Sequence, residues 1–302
     1  MMQQSRKVCV VIVSYNFEPW IDKCLPSVLA SSIPTTIMVI DNYSSDNTVA
    51  RIQQDYPQVL LIENKENLGF GKANNVGLTY ALKNNYNYAF LLNQDAWIEK
   101  QMLEKLIVAS EANPNFGIIS PVHLSSDGTS LDHGFAQYSK KKTLEEMPQP
   151  SSQLVELPFV NAAFWLLPID TVKSIGGFSP LFYHYGEDRN YLLRTAFHNY
   201  KTGYLPNALA THDRQYRKVT NKQFLQAEYV YFLSELANIN YPLPKAIAYS
   251  AMAAIKKMFI EGFGGRCSNS AAYLKMAFKL LAKVPAAYKT RKETKIIGTH
   301  YL

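Results

Sequence analysis

Residues 8–120 alternate between short apolar runs and amphipathic segments, and this alternation limits the fold more than any other feature of the chain. The run Val8–Val13 is apolar and β-branched, as expected for a central parallel strand buried on both faces. Further strands are predicted at 36–40, 59–62 and 88–92, with helices at 19–30, 48–56 and 71–84. Strand–helix–strand units of this length predict an α/β fold with a doubly wound, mostly parallel, Rossmann-like sheet flanked by helices.

The rest of the chain predicts a less regular second half and a helical end. Residues 125–155 contain a Lys140–Lys142 run and scattered Gly, Ser and Pro, and they predict a β-hairpin or flexible loop over the site. Apolar and amphipathic runs predict strands at 158–167, 202–205 and 208–211, and helices at 187–200, 221–240 and 245–261. We therefore divide the 302 residues into a domain at 1–220 and a helical extension at 221–302.

The basic charge of the chain is confined to this extension. The whole chain has a formal charge of +7, but Lys245–Leu302 holds eleven Lys or Arg against two acids, a net charge of +9. On a helical wheel, Tyr273, Met276, Ala277, Leu280, Leu281 and Val284 share one face beside Lys275, Lys279 and Lys283. This pattern favours contact with the anionic inner face of the cell membrane; the alternative is a helix packed on the catalytic domain. No nucleic-acid motif accompanies the charge, so we predict no nucleic-acid partner.

Two further features suggest a cytoplasmic protein. The apolar run after the basic N-terminus is only Val8–Val13, which is too short for a signal peptide, and no stretch approaches the length of a membrane span. The three cysteines contain no CxxC pair and so favour neither a disulfide framework nor a structural zinc site. We expect a reducing compartment, with peripheral attachment to the membrane as an addition.

Polar residues follow each predicted strand of the first half. They are Ser14-Tyr15-Asn16, Asp41-Asn42, Asn64–Asn67 and Asn93-Gln94-Asp95. Any one of these loops could be an ordinary turn, because Asn and Asp favour turns and helix caps. Ligands of open α/β sheets bind beyond the carboxyl ends of the strands, so four such loops together predict a nucleotide-sized site.

Common nucleotide and hydrolase motifs are missing. The chain has no GxxxxGK[ST] P-loop, no GxGxxG after its first strand and no GxSxG elbow. What remains is Asp95 after the fourth strand, Glu187-Asp188 at the start of a helix, and His212 after a late strand. One carboxylate and one imidazole can hold a divalent ion bridged to phosphates, and a separate carboxylate can act as a base.

Seven segments in order resemble the motifs of family-2 glycosyltransferases, most closely the bacterial rhamnosyltransferase-like branch. The segments are 11–16 (VIVSYN), 39–48 (VIDNYSSDNT), 64–75 (NKENLGFGKANN), 91–96 (LLNQDA), 176–178 (GGF), 185–188 (YGED) and 211–212 (TH). The resemblance covers about residues 7–215. It implies a GT-A fold, a nucleotide-diphosphate sugar donor, a divalent metal (Mg²⁺ or Mn²⁺) and inversion at the sugar carbon.

The resemblance also assigns residues by position. Asp188 is the expected general base with Glu187 beside it, Asp95 is the surviving acid of the Asp-x-Asp metal motif, and His212 is the late metal-binding histidine. The nucleotide would be held by Ser14, Tyr15, Asn16, Asp41, Asn67, Gly69, Lys72, Asn75, Asn93 and Gln94. Aromatic rings for the sugar or acceptor are offered by Trp97, Trp165, Tyr183 and Tyr185.

Two positions depart from the family pattern. Asn93 replaces the first acid of the metal motif, which weakens the metal assignment, and Asn190 stands where many relatives carry another acid, which leaves acceptor contacts open. We predict an inverting glycosyltransferase that moves a sugar, with rhamnose as one candidate, from a UDP- or dTDP-linked donor to a glycan or lipid-linked acceptor in surface-polysaccharide synthesis. The alternatives are a non-catalytic sugar-nucleotide or glycan-binding protein and a sugar-nucleotide pyrophosphorylase, although the latter's Gly-rich, Arg-containing loop is missing after the first strand.

Overall fold

The computed structural model describes residues 6–148, 151–214 and 219–302. Its centre is one mixed sheet with the strand order β3-β2-β1-β4-β8-β6-β9-β5, to which β7 adds beside β9. The strands are β1 (Val8–Ser14), β2 (Thr35–Asp41), β3 (Leu60–Glu63), β4 (Tyr88–Asn93), β5 (Ala96–Ile98), β6 (Phe116–Leu124), β7 (Val155–Glu156), β8 (Phe164–Pro168) and β9 (Lys201–His212). Strands β1 to β4 are parallel to one another, which confirms the predicted first half.

Helices cover both faces of the sheet, as predicted. They are α1 (Ile21–Leu29), α2 (Thr48–Asp55), α3 (Phe70–Lys83), α4 (Met102–Ala112), α5 (His133–Ser139), α6 (Ile169–Ile175) and α7 (Glu187–Phe197). Alternate residues of β1 point to opposite faces: Val10 joins a core with α1 and α4, and Val11 joins a second core with α3, α6 and α7. The β-branched run of β1 is therefore buried on both sides, which is why it lacks any polar alternation.

The second half of the sheet differs from its prediction in one element. The two short strands expected at 202–205 and 208–211 are a single long strand, β9, which pairs in parallel with β6. The pairing shifts register after Leu205, at Pro206, because proline has no amide hydrogen to donate to a neighbouring strand. The break is thus a local irregularity, and the strand continues to His212.

The described parts of the predicted hairpin or flexible loop, 125–148 and 151–155, contain regular structure; residues 149–150 lie outside the described ranges. A bridge between Leu124 and Leu131 gives the segment a hairpin-like start, but the helix α5 and a 3₁₀ turn at Leu144–Glu146 follow. Asp132 caps α5 by accepting a hydrogen bond from the backbone N–H of Phe135. Phe135 is fully buried in a cluster with β6 and β9, and this burial holds the segment against the sheet.

The extension consists of the helices α8 (Asn221–Ala237), α9 (Leu243–Ile247), α10 (Ala253–Phe263) and α11 (Cys267–Thr294), with a π-helical turn at Ala248–Met252. The apolar face of α11 that we expected at a membrane is largely buried: Tyr273, Met276, Ala277 and Leu280 pack in a core shared with α8 and α10. These four residues stabilise the extension itself and are not available to lipid, whereas Leu281 of the same predicted face is exposed. No helix in the described ranges is long and apolar enough to cross a membrane.

The extension packs against the rest of the chain beside α7. Phe182, in the loop before α7, is buried in the core of the extension. The Arg189 guanidinium forms an ion pair of 2.7 Å with Glu235 of α8 and stacks 4.7 Å over the ring of Tyr231. Gly186, at the start of α7, leaves no room for a Cβ because Val230 of α8 lies against it. The extension therefore supports the acidic end of α7.

We predict that Gly77→Ala destabilises the protein by about 1–3 kcal/mol, because a Cβ in the middle of α3 would lie 2.3 Å from Cγ1 of Val11 on β1. The measurement is the free energy of unfolding in urea. Lys83→Ala, at the exposed end of the same helix, is the control and should change it by less than about 0.5 kcal/mol. An equally stable Gly77→Ala variant would contradict the close approach of α3 to β1.

Candidate functional site

The ends of β1 and β2 meet at the carboxyl edge of the sheet. Ser14 and Asp41 are direct partners in the strand register, and the Ser14 hydroxyl donates to the Asp41 carboxylate over 3.0 Å. Asp41 also accepts the backbone N–H of Ser44 at 2.9 Å and is almost fully buried. The Asp41 carboxylate therefore fixes the loop after β2, and this loop forms one wall of the edge.

The loop after β1 is tied to the loops on both sides of it. Tyr15 donates its backbone N–H to the Gln94 side chain at 2.7 Å, and the Gln94 amide donates back to the Tyr15 carbonyl at 3.1 Å. Asn16 adopts a left-handed backbone (φ 53°), and its side chain accepts the backbone N–H of Ser45 at 2.9 Å. The Tyr15 ring remains half-exposed, so a flat group can stack on it.

Asn42 holds the third loop, a role that the sequence did not assign to it. Its amide donates to Asn67 at 3.0 Å, and its oxygen accepts hydrogen bonds from the Asn64 amide and the Leu68 backbone N–H. Asn67 in turn accepts the backbone N–H of Gly69. The position of Asn42 directly after a strand was the only sequence signal, and ordinary turns carry the same signal.

Gly69 brings this loop against the aromatic loop before α7. Gly69 has φ +77°, and a Cβ there would lie 2.1 Å from the Tyr183 carbonyl oxygen, so only glycine fits. The Tyr183 hydroxyl donates to the Asn67 carbonyl at 3.0 Å. Tyr183 therefore lies against the loop after β3, and its ring is exposed, as is the ring of Tyr185 two residues later.

Asp95 and His212 lie together although 116 positions separate them in the chain. Ala96 pairs with His212 between the antiparallel strands β5 and β9, and Asp213 donates its backbone N–H to the Asp95 carbonyl at 2.7 Å. The His212 Nε2 atom is 3.3 Å from Asp95 Oδ1 and 3.4 Å from the Asn93 amide nitrogen. The pairing of β5 with β9 therefore places the Asp95 carboxylate next to the His212 imidazole.

The pair fits a divalent ion that takes most of its ligands from a substrate. Asp95 is partly exposed, whereas the buried Nδ1 of His212 has no hydrogen-bond partner among the described residues. An imidazole and a carboxylate oxygen are both ligands of Mn²⁺ and Mg²⁺. The described residues contain no group of three or more His, Cys, Asp or Glu with metal-binding geometry, so the protein alone would supply only two such ligands.

Glu187 and Asp188 begin α7 and have unlike surroundings. Burial, followed by the adjacent charge of Asp188, raises the pKa of Glu187 to about 7, and the Glu187 Oε2 atom is buried without a hydrogen-bond partner. Burial also raises the pKa of Asp188, opposed by a hydrogen bond from the backbone N–H of Arg189 and by the charges of Arg189 and Arg214. Asp188 is the more accessible of the two, which suits a proton acceptor.

Arg214, two residues after the end of β9, was not among the predicted residues. Burial raises the pKa of Asp188 and lowers that of His123, and the charge of Arg214 is a smaller influence that lowers both. The Arg214 guanidinium lies 3.0 Å from the position that a Cβ on Gly134 would occupy, at the start of α5. Arg214 therefore acts electrostatically on the carboxyl group of Asp188.

Three assigned residues have other environments. Trp165 is fully buried, stacks on Phe178 and donates its indole N–H to the Val160 carbonyl, so its assignment as a sugar platform is wrong. The Asn75 amide donates to the Phe178 carbonyl and accepts the Phe178 backbone N–H, so it holds the segment before α7 against α3. Lys72 lines a hollow with Thr79 and Tyr301 and not with the loops of Ser14 and Asp41. Trp165 lies on β8, and Asn75 and Lys72 lie on α3. The direction of each side chain from its strand or helix determines which neighbours it contacts.

Comparison with known proteins identifies the class. The model of glycosyl transferase family 2 matches residues 9–168, more than half of the chain, and the chain therefore belongs to this family. The sequence is 25% identical over 235 residues to an N-acetylglucosaminyl-diphospho-decaprenol L-rhamnosyltransferase of Mycobacterium tuberculosis, covering 68% of this chain and 75% of that protein. It is also 31% identical over 106 residues to the Streptococcus pneumoniae glycosyltransferase GlyA, but this match covers 33% of the chain and only 14% of GlyA.

Solved structures support the GT-A fold. Staphylococcus aureus TarS in complex with UDP aligns with a TM-score of 0.54 at 14% identity, covering 96% of this chain and 88% of that one. GalNAc-T7 with UDP, GalNAc and Mn²⁺ aligns with a TM-score of 0.63 at 12% identity, covering 99% of this chain and 56% of that one. At these identities the likeness concerns the fold, and it confirms the predicted GT-A architecture with C-terminal helices.

We predict that Glu187→Gln flattens the pH dependence of stability. The folded pKa of about 7 lies above the ordinary 4.5, so the native state holds an extra proton between these values and loses stability as pH rises. Between about pH 5 and about pH 8 the free energy of unfolding of the wild type should fall by on the order of 3 kcal/mol, and that of the variant should not show this fall. The free energy of unfolding against pH tests this, with the exposed Glu99→Gln as control. Parallel curves for wild type and Glu187→Gln would refute it.

Proposed function

We propose that this protein is an inverting glycosyltransferase that moves a sugar from a UDP- or dTDP-linked donor to a hydroxyl of a glycan or lipid-linked acceptor in surface-polysaccharide synthesis. The observation that supports the proposal is the contact between Asp95 and His212, whose Oδ1 and Nε2 atoms lie 3.3 Å apart. Burial raises the pKa of Asp188, which suits the base that we propose, and the charge of Arg214, two residues after His212, acts on the same carboxyl group in the opposite direction. The mycobacterial rhamnosyltransferase supports the acceptor class by its name.

The donor would lie along the carboxyl edge of β1, β2 and β4. The open ring of Tyr15 can stack on the base, while the loop after β2, held by Asp41 and Asn42, presents backbone groups to it. Stacking on the Tyr15 ring and hydrogen bonds to backbone groups suit both uracil and thymine, so we propose both UDP and dTDP. The Tyr183 and Tyr185 rings beside Gly69 would contact the apolar face of the sugar.

Asp188 would accept the proton of the attacking hydroxyl. Inversion is an in-line displacement: the acceptor oxygen bonds the anomeric carbon as the bond to the diphosphate oxygen breaks, and the hydroxyl proton passes to the base. A carboxylate within hydrogen-bond reach performs this task, and a raised pKa makes it a stronger acceptor. Burial that raises the pKa of Asp188 is therefore compatible with its role, provided the site works above that pKa.

Asp95 and His212 would hold the divalent metal, Mg²⁺ or Mn²⁺. When bound, such an ion stabilises the negative charge that develops on the leaving diphosphate. Asn93 replaces one acid with a neutral amide 3.4 Å from His212 Nε2, so the protein itself contributes a single carboxylate there. We infer that ion affinity depends strongly on the donor, since the diphosphate must complete the ligand set.

We further propose the division of the chain into a catalytic domain at 1–220 and a basic extension at 221–302, and a cytoplasmic location on the inner face of the cell membrane. The separate hydrophobic core of α8 to α11 supports the division. The net charge of +9 within Lys245–Leu302 supports attraction to an anionic surface.

Asp188→Asn should reduce sugar transfer and donor hydrolysis by about 10²–10⁴-fold, because the amide cannot accept the proton. Release of the nucleotide diphosphate from a panel of UDP- and dTDP-sugars measures the effect, and the wild-type rate should rise with pH through the raised pKa of Asp188. Asp170→Asn, an exposed acid on α6, is the matched control and should retain activity. An unaffected Asp188→Asn enzyme would favour a different base or a non-catalytic binding protein.

Asp95→Asn and His212→Ala should abolish the Mn²⁺-dependent part of nucleotide binding. UDP or dTDP should raise the melting temperature of the wild type further with Mn²⁺ than without it, because ligands that bind only the folded state stabilise it. Each variant should show the same nucleotide shift in both conditions, whereas Asp170→Asn should behave as the wild type. A metal-dependent shift that survives in both variants would place the ion elsewhere.

A further inference from the structure

The helix α11 has a second apolar stripe, which remains exposed although its first face is buried. Leu274, Phe278, Leu281 and Tyr288 recur at spacings of four, three and seven residues, so they align along one side of the helix. Phe278 is 65% exposed, and the other three are more than 40% exposed. Helices normally turn such a stripe toward a partner, so this one lacks a partner within the described chain.

The neighbouring helix α10 carries a matching exposed stripe. The two helices run antiparallel around a short turn: the Ser270 hydroxyl donates to the Met258 carbonyl, and Arg266 pairs with Glu261. The exposed apolar residues of α10 are Phe259, Ile260 and Phe263, and Met252 in the π-helical turn before α10 is exposed as well. Phe263, at the end of α10, is 90% exposed. We call the two stripes together the hairpin surface. Its rings are clustered, since Phe259 stacks on Phe263 with centroids 6.3 Å apart.

The two helices of the hairpin surface also carry exposed lysines. Lys256 on α10 and Lys275, Lys279 and Lys283 on α11 are all exposed. Among the residues that the structure describes, none of the four lies within ion-pair distance of a carboxylate. By contrast, Lys257 pairs with Glu228, and Arg291 is buried against backbone carbonyls. The helices that expose the apolar side chains therefore also carry positive charge that no carboxylate of the described residues neutralises.

We propose that the hairpin surface docks on an anionic lipid bilayer. Aromatic and aliphatic side chains that stand out from a helix pair can enter the boundary between headgroups and acyl chains, while lysines beside them contact lipid phosphates. A second copy of this chain would bring the same four unpaired lysines against one another, so charge favours a lipid surface over self-association. This inference specifies the surface for the membrane location proposed above and is independent of the transfer chemistry.

Docking through this surface would also orient the active site. The core that holds α10 and α11 includes Phe182, directly before Tyr183, and the Arg189–Glu235 ion pair joins α7 to α8. The acidic end of α7 is thus attached to the docking helices through packed contacts. A lipid-linked acceptor would meet the site at a constant height above the bilayer.

Flotation of the full-length protein with vesicles tests the proposal, using phosphatidylcholine alone and phosphatidylcholine with phosphatidylglycerol. The wild type should float only with the anionic vesicles, and added salt should weaken binding. Lys275→Gln/Lys279→Gln/Lys283→Gln should lower the partition constant about a hundredfold, at about 1 kcal/mol per lysine. Phe263→Ser/Phe278→Ser should lower it at least tenfold.

Matched variants elsewhere control for charge and apolar area. Lys140→Gln/Lys141→Gln/Lys142→Gln removes the same charge beside α5, and Leu29→Ser/Val108→Ser removes exposed apolar groups on α1 and α4. Both should float as the wild type does. Circular dichroism checks folding, and donor hydrolysis measured in parallel should be unchanged in all four variants, so a failure of docking is distinguished from a failure of catalysis.

Equal flotation of the hairpin and control variants would overturn the proposal, as would equal binding to neutral vesicles. Absence of vesicle binding combined with a dimer that Phe263→Ser/Phe278→Ser dissociates in sedimentation would assign the surface to self-association and likewise refute lipid docking.

Discussion

The antiparallel pairing of β5 with β9 is the contact on which the candidate site depends. It sets Ala96 opposite His212, and this register alone places the Asp95 carboxylate 3.3 Å from the His212 imidazole. A slip of one residue would turn the His212 side chain to the other face of the sheet. The long strand β9 resists such a slip because β6, β5 and β7 all pair with it. Regular pairing with β6 resumes at Leu209, three residues before His212, so the irregularity at Pro206 does not reach the pair of β9 and β5.

A second constraint is the set of hydrogen bonds that ties the loops of the edge to one another. Asp41 and Asn42 are buried, and they use their side-chain oxygens to satisfy backbone N–H groups of neighbouring loops. Buried polar groups of this kind are costly unless every partner is present, so they hold the loops in one arrangement. A preformed edge loses little conformational entropy on binding a nucleotide, which is the physical reason to build a ligand site from short, cross-linked loops.

The extension has two roles that the fold combines. Its buried face stabilises a helical core that reaches Phe182, and its exposed hairpin surface remains available. The sequence of α11 could not distinguish the buried face from the exposed one. A helical wheel shows that a helix has an apolar face, but it does not show which neighbour covers that face. The structure assigns most of the predicted membrane face to packing and leaves Leu281 of that face exposed, in line with Leu274, Phe278 and Tyr288.

The sequence by itself determined the parallel half of the sheet, the loops at its carboxyl edge and the family, because strand periodicity and ordered motifs are local properties. From the residues and from the resemblance it predicted Asp95, Asp188 and His212 as one site, and the structure places Asp95 and His212 in contact. The tertiary structure alone decided that Trp165 and Asn75 face the core, that β9 is one strand, and that Asn42 and Arg214 join the site. Those outcomes depend on side-chain direction and on contacts between distant segments, and neither is encoded in the local spacing of residues.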